Sequence, residues 1–528
     1  MPWLTLVIFL PLVGIPVLGL WTRASDAQAR VAALVVALAT FLVALGVLGA
    51  FDPSVAGYQL VEQVDWLPSA GLSYLVGIDG FSIWLVLLTA FMTPIAIVSS
   101  WGVGHRVRLF MALTLLLETA ILGSFLALDL LLFFVFFEAL LVPMFLVIGV
   151  WGSARRVYAS VKFFLYTMAG SAFLLLAIVY LWFQTSEQLG HASFDIRQVE
   201  QLSLATTTQR WLFLAFFIAF AVKVPIFPLH TWLPDAHTEA PTNGSIVLAA
   251  LLLKAGPYGL LRFNLNLFPE ASRYFADAIG ILAVVGIVYG ALVAMMQIDV
   301  KRLVAFSSVS HMGFVILGIF TFTVQGTSGA VMQMVNHGLS TGLLFFAIGM
   351  LYERTHTREM EEMGGLGRVT PWIAATFLVA TLSSIGLPGL NNFVGEFLVV
   401  LGAFATNRLL GALAVTGVVL GAIYLLWAYQ RTFQGPVPER FRSLHDMQPR
   451  ELAAVVPVVA AMLFIGVYPK VMLDRINPSS EGVVRWVRSV DIEQPGLPGG
   501  LRARIQPDYR PPEGVVRLPP PAGKGGTP

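Results

Sequence analysis

A lysine stands inside an apolar run, FLAFFIAFAVKVPIFPLHTW, in which Lys223 is followed closely by Pro225 and Pro228. An ionised ammonium at hydrocarbon depth is costly unless paired or hydrated, so such a residue marks a path for ions or protons. Other ionisable residues share the setting. Glu138 lies in LLFFVFFEALLVPMF, Lys254 in IVLAALLLKAGPYG, His311 in AFSSVSHMGFVIL, His337 in VMQMVNHGLSTGLLFF and Glu396 in SSIGLPGLNNFVGEF. Each has apolar neighbours for a turn or more on both sides, too many for its polar end to reach water by stretching along the helix.

Acids, amines and imidazoles in one set suit proton transfer. A carboxylate beside a lysine holds both in the charged form, and separating them lets each change protonation. Imidazole relays protons because it titrates near neutrality. Blander roles stay open at this point: Glu138 and Lys223 as a static buried ion pair that fixes helix register, and His311 and His337 as hydrogen-bonding residues between helices. Glu118, in LTLLLETAILG, is also at membrane depth and has no evident partner.

The elements that must carry these residues follow from composition. With 57% hydrophobic and 12% charged residues in 528 and a mean hydropathy of +0.80, the chain cannot be a soluble domain. Apolar runs of membrane-spanning length begin near Trp3, Val31, Asp79, Leu109, Asp129, Lys162, Trp211, Asn243, Phe275, Leu303, Gly329, Trp372, Leu409 and Leu452. The expected fold is an all-α polytopic membrane protein of about 14 transmembrane helices. The first run is too long and too closely followed by others to be a cleaved signal.

Two runs are interrupted. Pro225 and Pro228 cannot donate to the carbonyls of Ala221 and Val224, which are expected to be left free for water or a side chain. In the second, Gly386, Pro388, Gly389 and the pair Asn391 and Asn392 break the run before Glu396. Broken helices at corresponding places point to inverted repeats with the ion path at the breaks. An offset of five helices, being odd, would invert one half relative to the other. The match is imperfect, since the charge precedes the first break and follows the second, and Pro and Gly also kink helices that conduct nothing.

Positive charge orients the chain. One side collects Arg23, Arg30, Arg106, Arg155, Lys301, Arg302, Arg354, Arg358 and Arg431 among others; the opposite side has Arg197, Arg210, Arg262, Arg273 and Arg408 before the tail. The excess marks the cytoplasmic face and puts both termini outside, on the periplasmic side of a bacterial inner membrane. The net charge of +2 is thus a topology signal and implies no nucleic acid. The absence of cysteine excludes thiolate-ligated iron–sulfur clusters and disulfides within the chain. The Pro- and Gly-rich segment from about residue 477 is expected outside the membrane, disordered or draped on a partner. The glycines of MGGLGRV lack the strand–turn–helix context of a nucleotide site.

The strings LALDLLLFFVFFEALLVPMF, FFIAFAVKVPIFPLHTWLPDAHTEAPT, LLLKAGPYGLLRF, DVKRLVAFSSVSHMGF and LPGLNNFVGEF resemble the antiporter-like NuoM-type membrane subunits of respiratory complex I, the proton-pumping NADH-quinone oxidoreductase. The similarity runs in order from the first helix to about Pro469. It implies fourteen core helices with two inverted five-helix repeats, Lys223 and Glu396 on the broken seventh and twelfth. It also implies that Glu138 pairs with Lys223, that Lys254 is the central lysine of a hydrophilic axis, that Glu396 is its terminal carboxylate, and that His230, His311 and His337 are members. Glutamate at 396 separates the NuoM type from NuoL-like, NuoN-like and Mrp proteins, which usually carry lysine there.

The implied division is residues 1–108 for N-terminal helices, 109–265 and 266–435 for the two repeats, 436–476 for a last transmembrane helix, and 477–528 for the tail. The implied activity is proton translocation as a subunit of that oxidoreductase, a translocase role with no redox chemistry in this chain. NADH, FMN, Fe–S clusters and quinone are expected in partner subunits, NuoL-like and NuoN-like neighbours beside it. Rival readings are a sodium–proton antiporter of the Mrp type or a membrane-bound hydrogenase subunit, a histidine-ligated haem carrier, and a packing scaffold. Sodium favours several oxygen ligands, whereas this set is rich in lysine and histidine, which suits protons.

Overall fold

The computed structural model describes residues 1–21 and 25–489; Arg23 and the tail from 490 onward lie outside them. Eleven helices among the described residues are long and apolar enough to cross a membrane. The chain opens with α1 (Trp3–Leu20) and α2 (Asp26–Ala50). A capping box starts α2: Ser25 accepts from the Gln28 amide while the Gln28 side chain accepts from that of Ser25.

A β-hairpin follows, β1 (Gln59–Leu67) and β2 (Leu72–Ile78), which corrects the all-α expectation. Its role is local. Glu62 on β1 accepts from the amides of Leu4 at 2.8 Å and Thr5 at 2.9 Å, and so satisfies free donors at the start of α1.

Next come α3 (Ser82–Val98), α4 (Val107–Leu126), α5 (Leu130–Ala139), α6 (Leu141–Trp151), α7 (Arg156–Leu189) and the short α8 (Ile196–Val199). Asp129 caps α5 by accepting from the amides of Leu131 and Leu132. The Lys223 segment is split into α9 (Thr206–Lys223) and α10 (Trp232–Glu239). The Lys254 segment is also irregular, which the sequence reading did not anticipate. It runs as α11 (Thr242–Ala250), a 3-10 turn Leu252–Lys254, α12 (Ala255–Gly259), a π-helical stretch Leu260–Asn264 and α13 (Leu265–Leu267).

The second half comprises α14 (Pro269–Met295), α15 (Val300–Phe320), α16 (Val324–Thr355), the split pair α17 (Pro371–Ser384) and α18 (Asn391–Thr406), α19 (Arg408–Phe433), α20 (Pro449–Val467) and α21 (Lys470–Ser489). The division drawn at residue 477 falls inside α21. This helix packs back on the bundle: Asn477 and Ser480 accept from or share a proton with Ser328 of α16, and the Trp486 indole donates to Asn266 O.

Helices α15 and α16 are buried on every side, as elements with no face left for lipid must be, whereas α1, α2 and α20 leave many apolar side chains exposed. The polar side chains of the interior are therefore carried by the innermost helices.

Candidate functional site

At the first break the backbone resolves its own deficit. Ile226 N donates to Ala221 O at 2.9 Å, in place of the missing Pro225 donor, and the Trp232 indole donates to Val222 O at 2.8 Å. This corrects the expectation that Ala221 offers a free carbonyl, because a register shift of one residue recruits the next available N–H. Lys223 ends α9 and is 2% exposed; its Nζ has no hydrogen-bond partner and lies 4.5 Å from the centroid of the Phe137 ring. Glu138 Oε1 is also unpartnered, and among the described residues the two groups form no ion pair within 4.0 Å. Glu138 lies within electrostatic range of Lys223, and the face of Phe137 packs against the ammonium.

The Lys254 helix can approach this break because residue 256 is glycine: a Cβ there would lie 2.6 Å from Val224 Cγ2 and 2.8 Å from Phe220 O. Where the helix tightens to 3-10, Lys254 Nζ turns back onto Ala249 O and also meets His337 Nδ1 at 2.7 Å. Such irregular turns recur at functional positions in helices because they free backbone groups for side chains.

From His337 the line continues. The imidazole of His311 lies with its centroid 5.7 Å from that of His337, and His311 Nδ1 meets Glu396 Oε1 at 3.0 Å. Lys254, His337, His311 and Glu396 are between 0% and 5% exposed, so none is wetted from the surface. The same Glu396 oxygen accepts from Gln333 Nε2 at 2.9 Å.

Hydrogen-bond roles follow from chemistry. With Lys254 charged it only donates, so His337 Nδ1 accepts and Nε2 carries the ring proton. With Glu396 ionised it only accepts, so His311 Nδ1 donates and Nε2 of the neutral ring is an acceptor. Both Nε2 atoms are without a hydrogen-bond partner, one a donor and the other an acceptor.

The second break orders itself differently from the expectation. Asn391 and Asn392 do not interrupt the helix but open α18, after Gly386 and Gly389 adopt φ of 74° and 93°. Asn391 accepts from Ser383 Oγ at 2.7 Å, exchanges bonds with Asn336 of α16, and Asn392 donates to Ser340 Oγ at 3.1 Å. Gly395 brings α18 against α16: a Cβ there would be 2.6 Å from Gln333 Oε1.

Gln333 and Asn336 were missed in the sequence, although a signal existed. Gln333, Asn336, His337 and Ser340 fall at i, i+3, i+4 and i+7 of α16, a polar stripe along one face of an otherwise apolar helix. His237 was missed too. It lies on α10, fully buried, stacked on Phe345 with centroids 4.9 Å apart, and neither ring nitrogen has a partner.

His230 is buried at the first break between Phe227 and Tyr289, outside the hydrogen-bonded line. Glu118 on α4 is buried, with Thr93 of α3 as its polar neighbour. Arg262, counted above as an outer-side charge, is buried in an ion pair with Asp79 at 2.9 Å. Asp235 of α10 takes Lys162 at 2.7 Å, with Arg155 and Arg302 within 3.9 Å, and Lys301 donates to Ala240 O.

Comparison with known proteins places this arrangement. The family described as "NADH:quinone oxidoreductase/Mrp antiporter, TM" matches residues 127–421, a stretch that holds every member of the line. NADH-quinone oxidoreductase subunit M of Rhodobacter capsulatus is 46% identical over 91% of this chain and 96% of its own, and that of Mycobacterium tuberculosis 39% over 93% and 95%. A chain of respiratory complex I from Thermus thermophilus superposes with a TM-score of 0.84 at 33% identity, over 92% of this chain and 99% of that one. A chain of the Mrp complex of Dietzia shares the fold, with a TM-score of 0.79 at 20% identity over 92% and 100%. The protein therefore belongs to the family of NADH-quinone oxidoreductase subunit M, the antiporter-like membrane subunit of complex I.

Proposed function

We propose that this subunit translocates protons along Lys254, His337, His311 and Glu396, driven by quinone reduction in partner subunits that hold NADH, FMN, Fe–S clusters and quinone. The observation that carries the reading is the pair of contacts Lys254 Nζ–His337 Nδ1 and His311 Nδ1–Glu396 Oε1, with the two imidazoles facing each other across a gap at 5.7 Å between centroids. Lys254 gives a proton to His337 Nδ1. His337 releases its own from Nε2 to His311 Nε2 across a gap that a water can bridge, and His311 passes the Nδ1 proton to Glu396. Each ring gains one proton and loses another, so the line ends with Glu396 protonated and Lys254 neutral. The rings must then turn or exchange protons to reset.

Lys223 and Glu138 act upstream. They share no contact, so their influence is the field of two charges in a medium of low dielectric, where attraction persists beyond hydrogen-bond range. Neutralising either changes the potential at Lys254. The basic cluster around Asp235, with Lys301 beside it, lies on the inner side, where protons are taken up. On the outer side a cavity of about 240 Å³ is lined by Leu317 and Thr321 of the α15 end and by Ala403 and Asn407 of the α18 end. It lies roughly two helical turns beyond His311 and Glu396, which suits a release vestibule.

The architecture read with this function is fourteen crossings, with α5 and α6, α9 and α10, α11 to α13, and α17 and α18 each forming one, in two inverted five-helix repeats. Both termini then lie on the outer face of a bacterial plasma membrane, with NuoL-like and NuoN-like neighbours flanking the subunit. The defining experiment measures protons moved per NADH oxidised by the assembled complex in sealed vesicles, with and without sodium. Lys254→Ala is expected to lower that ratio equally in both media. An unchanged ratio, or pumping that requires sodium, would overturn the reading.

A further inference from the structure

Helix α3 is closed in by other helices on every side but one. Leu88 and Met92 pack on Gly338 and Gly342 of α16, Ala96 O accepts from Asn243 of α11, and Thr93 sits beside Glu118 of α4. On the remaining side α2 and α20 both touch α3, and only Trp84, Phe91 and Val98 of that helix are partly exposed. Phe91 meets Phe41 of α2 with centroids 5.5 Å apart. The three residues are spaced by seven, two helical turns, so they form one line along the axis. That line runs about 21 Å at 1.5 Å per residue, against roughly 15 Å for one hydrocarbon leaflet. Its walls are apolar and exposed, with Val35 and Leu38 on α2 and Leu452 and Val456 on α20.

At the end of this groove, three residues past Val98, lies the half-buried Trp101. The guanidinium carbons of Arg30, in the second turn of α2, and of Arg450, in the first turn of α20, are 5.8 and 5.7 Å from the centroid of its ring. Arg30 donates from Nη2 to Val103 O at 2.6 Å, and among the described residues neither arginine forms an ion pair. Of the acids beside them, Glu451 takes Arg354 at 2.7 Å and Glu353 lies within electrostatic range of Arg450. A cation in the first turn of a helix faces the positive end of the macrodipole, a placement that an anion at the same end offsets.

We propose that the groove binds one anionic phospholipid, its phosphate held by Arg30 and Arg450 at Trp101 and an acyl chain laid along Trp84, Phe91 and Val98. A guanidinium presents paired N–H donors that match phosphate oxygens. Indoles favour the headgroup level of a bilayer, and Trp101 marks that depth. Basic groups clustered at the end of a membrane helix draw anionic lipid to it. The lipid bridges α2 and α20 through the arginine that each supplies.

A helix of a neighbouring subunit does not suit the same space. With its side chains a helix is about 10 Å across and packs by rows of ridges and grooves, whereas α3 offers a single line of side chains between two walls. Free phosphate would use the arginines and leave the apolar floor without an occupant. A phospholipid satisfies both ends of the groove at once.

The test uses the complete detergent-purified complex, stripped of loosely held lipid and incubated with phosphatidylglycerol that carries a diazirine on its acyl chain. After illumination, labelled peptides of this subunit are mapped by mass spectrometry. Label is expected on the α3 peptide, lowered several-fold by unlabelled phosphatidylglycerol and resistant to phosphatidylcholine or inorganic phosphate at the same concentration. Arg30→Gln with Arg450→Gln is expected to lower that label several-fold while leaving NADH oxidation and label elsewhere on the subunit unchanged. Arg30→Lys with Arg450→Lys keeps both charges and is expected to retain most of it. Equal competition by phosphatidylcholine would show an annular lipid only, and displacement by inorganic phosphate a free-anion site. An unlabelled α3 peptide would mean that a protein chain covers the groove. Each of these results overturns the proposal, as does label indifferent to the arginine-to-glutamine variant.

Discussion

Gln333 and His311 approach the same oxygen of Glu396, the amide at 2.9 Å and the imidazole at 3.0 Å, from two different helices. Two donors on one atom fix the carboxylate against α15 and α16 and leave its proton-accepting geometry set before any proton arrives. A hydrogen bond to a charged group contributes about 1.5–3 kcal/mol. Gln333→Leu is therefore expected to preserve assembly and NADH oxidation while lowering proton pumping several-fold, measured as dye quenching in inverted vesicles. Full pumping in that variant would show that His311 alone suffices.

His337 is required as a relay and not only as an acceptor for Lys254. Glutamine can accept from the ammonium through its carbonyl but cannot bind one proton while releasing another. His337→Gln is expected to keep the complex assembled and to lower the protons moved per NADH, because the relay step is lost while the acceptor is kept. Retention of the native ratio would remove His337 from the path.

The Trp232 indole holds the carbonyl of Val222 next to Lys223. Trp232→Phe keeps most of the ring volume and leaves that buried oxygen without its donor, at a cost of about 1–3 kcal/mol. The half-inactivation temperature of the complex should fall by a few degrees, and pumping should fall more than quinone reduction because the Lys223 backbone loosens. Unaltered thermal stability would mean that another donor takes over.

Glu200, in the loop after α8, gives a pH-dependent signature. Burial pushes its carboxyl up from 4.5 to about 7, and the nearby Arg262 opposes that shift. At pH 4 the folded and unfolded chains both bind the proton. As pH rises toward 7 the unfolded chain loses it first, so the folded state is progressively penalised, and the penalty is complete above 7. Glu200→Gln is accordingly expected to raise thermal stability at pH 8 and to leave it nearly unchanged at pH 4. A stabilisation of equal size at both values would point to packing instead of titration.

Much of this chain was readable before any coordinates. Apolar runs of spanning length announce membrane helices because lipid forces each backbone to bond within itself. Lys254, His311, His337 and Glu396 stand out for the same reason, as ionisable residues where the solvent cannot hold them. Even the two breaks are written in Pro225, Pro228, Gly386 and Pro388, whose backbone chemistry is local.

What the sequence left open depended on where side chains meet. Glu138 and Lys223 lie within electrostatic range of each other without a hydrogen bond, and Phe137 packs against the ammonium; residues far apart in the chain carry no statement of their separation in space. The 3-10 and π turns around Lys254 have no local breaker beyond Gly256 and Pro257, and follow from how that helix packs on the first break. Arg262 reads as a loop charge until α3 brings Asp79 against it. Composition and local backbone chemistry thus determined which residues sit in the membrane and where helices must fail. Only tertiary packing decided which of the buried charges touch, because a hydrogen bond is made or lost over about an ångström and no spacing along one chain fixes that distance.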